Sequence, residues 1–483
     1  MSGDSTSNNE IEKEIINSVI NGDLEFLKAN FRKLSKINDY YVINVPGYIV
    51  NTNDALVLKS TLLQIAAKNG QKEIFSFLLD NGADPLLSDT NGHNLIHCAA
   101  IGGNPEIVKM SLKFPIDIQK TDFFGHTSLH SAVICAGQDV IDILYDAGAD
   151  VSIVDNYGCT VAYRSIMHGK TKLLEKFLVS NKDDFKFNEF KSETKTKKSS
   201  PNKFSPNNKI TTEEQKPKRE IRCLMERAVV FNRDPESVEI LLKNNENPSG
   251  TIFSGDSFLI KSIRNGDTKI STMLIEAGAN VNAKSKTGQT GLHLSAYFGQ
   301  VYLFKLLLEK GANPTARDMD GKSVLHQAAH GGKYEIFSML KKTPEMMMET
   351  GNMGQTMLHY AVEGGCEKIL NDVLKYNIDI SSEDSLGNTA IMHAIRKGHA
   401  NLIKPLIDAG ADPYKAFSQK ENSENALFEA ARAGQLDVVE ELLKSGVDPL
   451  IKNKNGKTAS KVSTNKSIIK ILKKYENDQT HSY

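Results

Sequence analysis

The sequence lacks several features that would assign it to a functional class. It contains no tryptophan, and its 59 Lys+Arg residues balance its 59 Asp+Glu residues. This balance argues against a globally basic nucleic-acid binder. No apolar run approaches the ~18–20 residues of a membrane-spanning helix, and residues 1–10 lack the apolar stretch of a secretory signal. We therefore expect a chain that does not span a membrane and does not bind nucleic acid.

Cysteine is also scarce, and its spacing excludes the common cysteine frameworks. The five cysteines are scattered and form no CxxC pair. An odd, dispersed set indicates reduced thiols inside a cell, not a disulfide or zinc framework. We expect an intracellular protein, cytoplasmic in the first instance. The frequent Asn, Ile and Lys are typical of an AT-rich genome, such as that of a protist.

Glycine, in contrast, recurs at a fixed spacing of 33 residues in two parts of the chain. Such a period indicates stacked supersecondary units, and each unit has the pattern of two helices. Counting each unit from the residue that ends its first helix gives thirteen positions, ten of them glycine: Gly22, Gly70, Gly103, Ala136, Gly169, Arg233, Gly266, Gly299, Gly332, Gly365, Gly398, Gly434 and Ser467.

The position nine residues before each of these supports the same register. Eleven of the thirteen hold Thr, Ser or Asn, whose side-chain oxygen can cap a helix N-terminus by accepting a free backbone N–H. In one repeat, Leu292, Ser295 and Ala296 then share a helix face, which predicts that they are buried. The predicted N-caps are Thr61, Asn94, Thr127, Thr160, Ser257, Thr290, Ser323, Thr356, Thr389, Asn425 and Thr458.

These residues resemble the ankyrin repeat. Its TPLHxAAxxG pattern is visible at residues 127–130 and 323–329, and its GAD ending at residues 82–84, 148–150 and 410–412. The resemblance covers nearly the whole chain and leaves no room for an appended catalytic domain. It implies an all-α solenoid of about thirteen helix-turn-helix repeats with short hairpin-like tips.

The irregular steps in the register suggest the domain organisation. We predict a disordered N-terminus at 1–9, ankyrin repeats at 10–181, a disordered insertion at 182–219, further repeats at 220–475 and a tail at 476–483. The insertion is rich in Lys, Ser and Pro and cannot bury enough apolar area to order itself. Its basic runs leave a nuclear location open as an alternative. Its Ser200-Pro201 and Ser205-Pro206 pairs are candidate phosphorylation sites. We expect the repeats to stack continuously across the insertion.

No constellation in the sequence predicts chemistry. The histidine pairs His93/His97, His126/His130 and His326/His330 lack a third ligand at a recognisable spacing for zinc. Catalytic and nucleotide-binding signatures are absent, so we predict no catalytic, cofactor-binding or metal-binding residues and no enzyme activity. The family resemblance instead implies an imidazole bonded to neighbouring backbone at one repeat position: His97, His130, His293, His326 and His359.

The expected function is protein binding by a monomeric scaffold or adaptor. By resemblance to the family, the tips and the outward positions of the first helices line a concave side. The alternative is a regulatory subunit that inhibits or recruits a specific enzyme or transcription factor. Aromatic and Met side chains are typical interface anchors. The anchors predicted at these positions are Tyr297, Phe298, Met319, Met353 and Tyr360 in one group and Phe123, Phe124 and Tyr157 in another.

Overall fold

The computed structural model describes residues 4–34, 36–42, 59–179, 223–415 and 425–480. The chain divides into two compact units, residues 1–246 and 247–483. The predicted insertion at 182–219, with its two Ser-Pro pairs, lies outside the described residues. Each unit is a row of helix pairs in which first helices pack on first helices and second helices pack on second helices. The all-α repeat fold is confirmed.

The first unit begins with the helix Asp4–Asn21, which starts inside the N-terminal segment predicted to be disordered. A short antiparallel pair of strands, Tyr41–Val42 and Lys59–Ser60, lies between the first two repeats. The remaining helices are Leu24–Asn30, Phe31–Lys33 (a 3₁₀ turn), Leu62–Lys68, Lys72–Asp80, Leu95–Gly102, Pro105–Ser111, Ser128–Cys135, Gln138–Asp146, Val161–Met167, Thr171–Val179, Leu224–Glu226 continuing as the π-helical segment Arg227–Asn232, and Pro235–Lys243.

The second unit continues the pattern of short first helices and amphipathic second helices. Its last helix ends inside the predicted tail. The helices are Phe258–Asn265, Thr268–Glu276, Gly291–Phe298, Val301–Glu309, Val324–His330, Tyr334–Met339, Pro344–Met348, Met357–Glu363, Glu367–Leu374, Ala390–Lys397, Ala400–Leu402 (a 3₁₀ turn) with Ile403–Asp408, Ala426–Ala433, Leu436–Lys444, Ala459–Val462 and Lys466–Thr480.

All eleven predicted residues are at N-cap positions, but the side-chain cap hydrogen bond does not form at Thr389 and Thr458. In the helix that follows Thr61, for example, the threonine hydroxyl accepts from the amide of Gln64, and the Gln64 side chain accepts from the amide of Thr61. This reciprocal pair satisfies two backbone donors that the first helical turn leaves without partners.

The residues predicted to end the first helices follow one rule with two exceptions. The ten glycines have a left-handed backbone, as does Arg233 with φ 52°, although only glycine adopts this conformation without a steric penalty. Ala136 is extended instead. The prediction for Ser467 is wrong, because the last first helix ends at Val462 and Ser467 lies inside the helix Lys466–Thr480.

The histidines at the repeated position join consecutive repeats, as the family resemblance implies. They are His97, His130, His293, His326 and His359. In each case Nε2 lies 3.0–3.2 Å from a backbone carbonyl oxygen of the following tip. In His130, His293, His326 and His359, Nδ1 also accepts a hydrogen bond from the amide of the N-cap residue. Because Nδ1 accepts, the ring must be neutral with its proton on Nε2. Burial accordingly lowers the pKa of His130 to about 4.

Within the first unit, repeats on both sides of the insertion are in contact. The helix Pro235–Lys243 packs on Thr171–Val179. The Thr171 hydroxyl lies 3.3 Å from Oδ2 of Asp234, and the Asn232 side chain donates to the Ile166 carbonyl at 2.6 Å. The predicted domain boundaries, and continuous stacking over the whole chain, stay predictions.

Candidate functional site

Most tips between repeats are built around one polar side chain, which is an aspartate in several of them. In the tip before Gly321, Oδ1 of Asp318 accepts from the amides of Asp320 and Lys322 at 3.0 and 2.9 Å. The same pattern recurs at Asp384, whose Oδ1 accepts from the amides two and four residues ahead. Backbone hydrogen bonds also join neighbouring tips. This organisation fixes the backbone of each tip and leaves its outermost side chains outside the core.

The second-unit surface, defined as Tyr297, Phe298, Met319 and Met353, carries four of the predicted anchors. All four side chains are exposed, Met319 to 67%. The Met319 amide donates to the Thr287 carbonyl of the preceding tip at 2.9 Å, and the Met353 carbonyl accepts from the next tip at 2.8 Å. The rings of Tyr297 and Phe298 meet edge to face with centroids 5.2 Å apart.

Tyr360, the fifth residue of that predicted group, is not an exposed anchor. Its side chain is 1% exposed, so the expectation of exposure is wrong. Tyr360 follows its N-cap by four residues, the position that buried Leu294 occupies in another repeat, whereas Tyr297 and Phe298 follow theirs by seven and eight. Its ring packs edge to face on His326 with centroids 5.0 Å apart. Counting from the N-cap would have separated the two positions.

A polar cluster lies beside the second-unit surface. The His330 ring contacts Tyr297 with centroids 5.2 Å apart, and its Nε2 lies 3.5 Å from Oε2 of Glu363. Burial lowers the pKa of His330. Glu363 also accepts from the Gln355 side chain at 3.1 Å and pairs with Nδ1 of His393 at 3.1 Å.

The first-unit surface consists of Phe123, Phe124 and Tyr157 at two neighbouring tips. Phe123 is 70% exposed, Tyr157 is exposed and Phe124 is half-buried. The Asn156 side chain donates to the Phe123 carbonyl at 2.7 Å, which holds the two tips together. The Arg164 guanidinium lies 5.8 Å from the centre of the Tyr157 ring. This surface carries three predicted anchors, and Arg164 is a cation next to it.

Two exposed apolar residues at tips were not predicted. Leu386 precedes Gly387 and is 69% exposed, and Phe253 lies two residues before Gly255 and is 97% exposed. Their position next to the tip glycine is the signal that could have identified them, since Met319 and Met353 occupy the same part of their repeats. Leu386 extends the exposed apolar row of the second unit by one tip.

The residues that the structure describes provide contacts for a partner. No group of three or more His, Cys, Asp or Glu side chains there could hold a metal ion. The Gly-Lys-Ser fragment at 321–323 resembles the end of a phosphate-binding loop. In the structure it is a tip and an N-cap, because the Lys322 amide donates to Asp318 and Ser323 caps the next helix. In the described parts of the chain, no helix has the length and apolar character needed to cross a membrane.

Comparison with known proteins identifies the family. The family described as "Ankyrin repeats (3 copies)" matches residues 63–155, 225–318, 315–384 and 372–453, more than half of the chain. Among the similar solved structures is the crystal structure of the human ASB11 ankyrin repeat domain, with 23% identity and a TM-score of 0.35. That match covers 45% of this chain and 96% of the human one. No curated protein matches the sequence. Ankyrin repeats are generally protein–protein interaction modules and are typically non-catalytic.

Proposed function

The chain belongs to the ankyrin repeat family, and from this premise we propose that it is a non-enzymatic scaffold or adaptor that binds another protein. The main contact is the second-unit surface, on the concave side that ankyrin repeats use by family resemblance. The first-unit surface is a second contact. The affinity comes from burying these side chains against the partner, without bond-making chemistry.

One observation supports this proposal above the others. Four large apolar side chains are exposed. Met319 and Met353 lie on tips joined to neighbouring tips by backbone hydrogen bonds, and Tyr297 and Phe298 lie on the last turn of the helix Gly291–Phe298. A surface that is already ordered loses little conformational entropy on binding, so apolar anchors on it contribute efficiently to affinity. Large aromatic and Met side chains are among the residue types that most often carry interface energy.

The cellular setting is part of the same proposal. The five cysteines are free, which fits a reducing compartment, and we place the protein in the cytoplasm with the nucleus as the alternative. We propose that the protein is a monomer and that it binds proteins and not nucleic acid, in keeping with its zero net charge.

The test compares partner recovery by matched variants of the full chain. Phe298→Ala and Met319→Ala each remove one side chain of the second-unit surface. Tyr302→Ala removes an exposed aromatic ring from the second helix Val301–Glu309 and serves as the control. Affinity purification from cells, followed by mass spectrometry and measurement of Kd for each recovered protein, should show at least ~10-fold weaker binding for the surface variants.

The outcome distinguishes the candidate surfaces and roles. Equal partner recovery by Phe298→Ala, Met319→Ala and the wild-type chain would exclude the second-unit surface, and the same comparison with Phe123→Ala then tests the first-unit surface. A partner whose own activity changes when the chain is added indicates the alternative role, a regulatory subunit of an enzyme or transcription factor. A partner whose activity is unchanged indicates a scaffold.

A further inference from the structure

A row of polar side chains runs through four consecutive repeats of the first unit. Its carboxylates alternate with basic side chains, and each member contacts the next. Three of its members are aspartates that organise the tips through Oδ1 and use Oδ2 for the row. The contacts are Lys68–Asp89 at 2.6 Å, Asp89–His93 at 2.8 Å, His93–Asp122 at 3.3 Å, Asp122–His126 at 3.4 Å, His126–Asp155 at 3.6 Å and Asp155–Arg164 at 2.5 Å.

Both ring nitrogens of His93 face carboxylate oxygens, so neither accepts a hydrogen bond in this row. Its Nδ1 lies 2.8 Å from Oδ2 of Asp89 and its Nε2 lies 3.3 Å from Oδ2 of Asp122. An ionised carboxylate only accepts hydrogen bonds. Both ring nitrogens of His93 must therefore carry a proton, and the ring is an imidazolium. Its side chain is almost fully buried, so this charge is screened little by solvent.

His126, one repeat further, differs in one contact. Its Nε2 lies 3.3 Å from Nη2 of Arg164, and a guanidinium only donates. Nε2 of His126 therefore accepts, and the ring is neutral with its proton on Nδ1, towards Asp122. With these assignments the three carboxylates of the row are balanced by Lys68, His93 and Arg164. Without the His93 proton, one buried negative charge would have no compensation, which is costly in a protein interior.

The second unit contains the same arrangement at an independent place. Nδ1 of His393 lies 3.1 Å from Oε1 of Glu363, and its Nε2 lies 2.9 Å from Oδ2 of Asp384. Glu363 belongs to the preceding repeat, so His393 joins two repeats as His93 does. The position differs, since His393 lies on the first helix Ala390–Lys397 and His93 on a tip.

We propose that His93 and His393 are proton-dependent clamps: each is stored as an imidazolium between carboxylates of two consecutive repeats, and loss of the proton as pH rises loosens that repeat contact. In the second unit the clamp shares Glu363 with His330, which packs on Tyr297. When the contact between His393 and Glu363 loosens, the change is passed through His330 to Tyr297, which belongs to the second-unit surface. The clamps stand on these contacts whether or not that surface binds a partner.

Other charged and titratable groups face each clamp. Lys68 approaches His93 through Asp89, and the His97 ring lies 5.8 Å away. The centre of the His359 ring lies 5.3 Å from that of His393, and the positive charge of Lys397 helps to lower the pKa of Glu363. These neighbouring cations and imidazoles disfavour a positive charge on His93 and His393. The two carboxylates at each ring outweigh them because they touch it directly.

The direction of both titrations agrees with the geometry. Burial lowers the pKa of His93, but the hydrogen bonds with Asp122 and Asp89 outweigh it and the net pKa lies above 6.5. Burial likewise lowers the pKa of His393, and the bonds with Glu363 and Asp384 again raise it above 6.5. A raised pKa in the folded state means that the stabilisation is complete below 6.5 and is lost as pH rises through the folded value.

The direct test is nitrogen NMR of the full chain with ¹⁵N-labelled histidine. Resonances are assigned by their loss in His93→Gln and His393→Gln. At pH 7, both ring nitrogens of His93 and His393 should show the shift of a protonated nitrogen, and His126 should show one protonated and one bare nitrogen. A bare nitrogen on His93 or His393 at pH 7 would overturn the proposal for that residue, even if every glutamine variant failed to fold.

The second test measures the consequence for stability. Thermal melts of the wild-type chain, His93→Gln and the matched control His126→Gln are compared between pH 6.5 and pH 9. The wild type and the control should lose Tm as pH rises, and His93→Gln should lose less because it has no proton to release. Equal losses of Tm in all three proteins would contradict the clamp at His93.

Discussion

A buried imidazole at a repeated position hydrogen-bonds to backbone groups of two consecutive repeats. Nδ1 of His359 accepts from the Thr356 amide at 3.1 Å, and its Nε2 donates to the Asn388 carbonyl at 3.0 Å. His359→Leu keeps most of the volume and removes both bonds. We expect it to lower the free energy of unfolding by about 1–3 kcal/mol, as measured by urea unfolding followed by circular dichroism. The exposed His168→Leu should stay within about ±0.5 kcal/mol; comparable losses in both variants would contradict this role.

Two aromatic residues predicted together as anchors differ in burial, and this difference gives a second prediction. Tyr360 fills the space between His326 and the glycine at 351, where a Cβ would overlap its hydroxyl. Tyr360→Ala should cost about 3–5 kcal/mol of unfolding free energy, as for other large buried side chains. Phe298→Ala should cost less than about 0.5 kcal/mol. The pair is compared by urea unfolding, and an early transition in Phe298→Ala would show that its ring supports the core.

At the scale of the helices, the approach of consecutive first helices sets a steric limit. Gly364 has an ordinary helical backbone, yet a Cβ there would overlap the Ala329 carbonyl of the preceding repeat. Gly364→Ala should therefore destabilise by about 1–3 kcal/mol through overpacking. Gly137 also has negative φ and has no neighbour within 4 Å of a Cβ. Gly137→Ala is the control, expected to change stability by less than about 1 kcal/mol. A larger Tm loss in Gly137→Ala than in Gly364→Ala would contradict the steric account.

The same scale explains what could be predicted from the sequence. N-caps and left-handed glycines are set by neighbours within one helix turn, so a fixed spacing identifies them. The burial of Tyr360 depends on which face of a first helix meets the next repeat. The spacing between glycines alone does not show that face, whereas the position of Tyr360 four residues after its N-cap, shared with Leu294, indicates it. The partners of His93 are similar: Asp122 lies 29 residues away and is brought close only by stacking. A search for zinc ligands at i, i+4 therefore paired His93 with the wrong residue.

For the whole molecule, the neutral histidines predict sensitivity to acid. Burial lowers the pKa of His97 and His130 to about 4, and it also lowers the pKa of His293, His326 and His359. A lowered histidine pKa means that the unfolded chain takes up protons first. The stabilisation is then complete above about 6.5 and is lost as pH falls towards 4.

This prediction can be tested by thermal melts of the full chain at pH 7 and pH 5. The four histidines whose Nδ1 accepts a hydrogen bond, His130, His293, His326 and His359, outnumber the two clamps, whose protons favour the folded state in the same range. We therefore expect a lower Tm at pH 5 than at pH 7. Burial raises the pKa of Asp89, but its hydrogen bond to His93 and its pairing with Lys68 lower the net value to about 2. Asp89 therefore stays ionised at both pH values and contributes little to this difference. His359→Leu removes one of the four groups and should reduce the loss of Tm between pH 7 and pH 5, although its Tm is lower at both. An equal or higher Tm at pH 5 in the wild-type chain would show that these imidazoles are not held neutral.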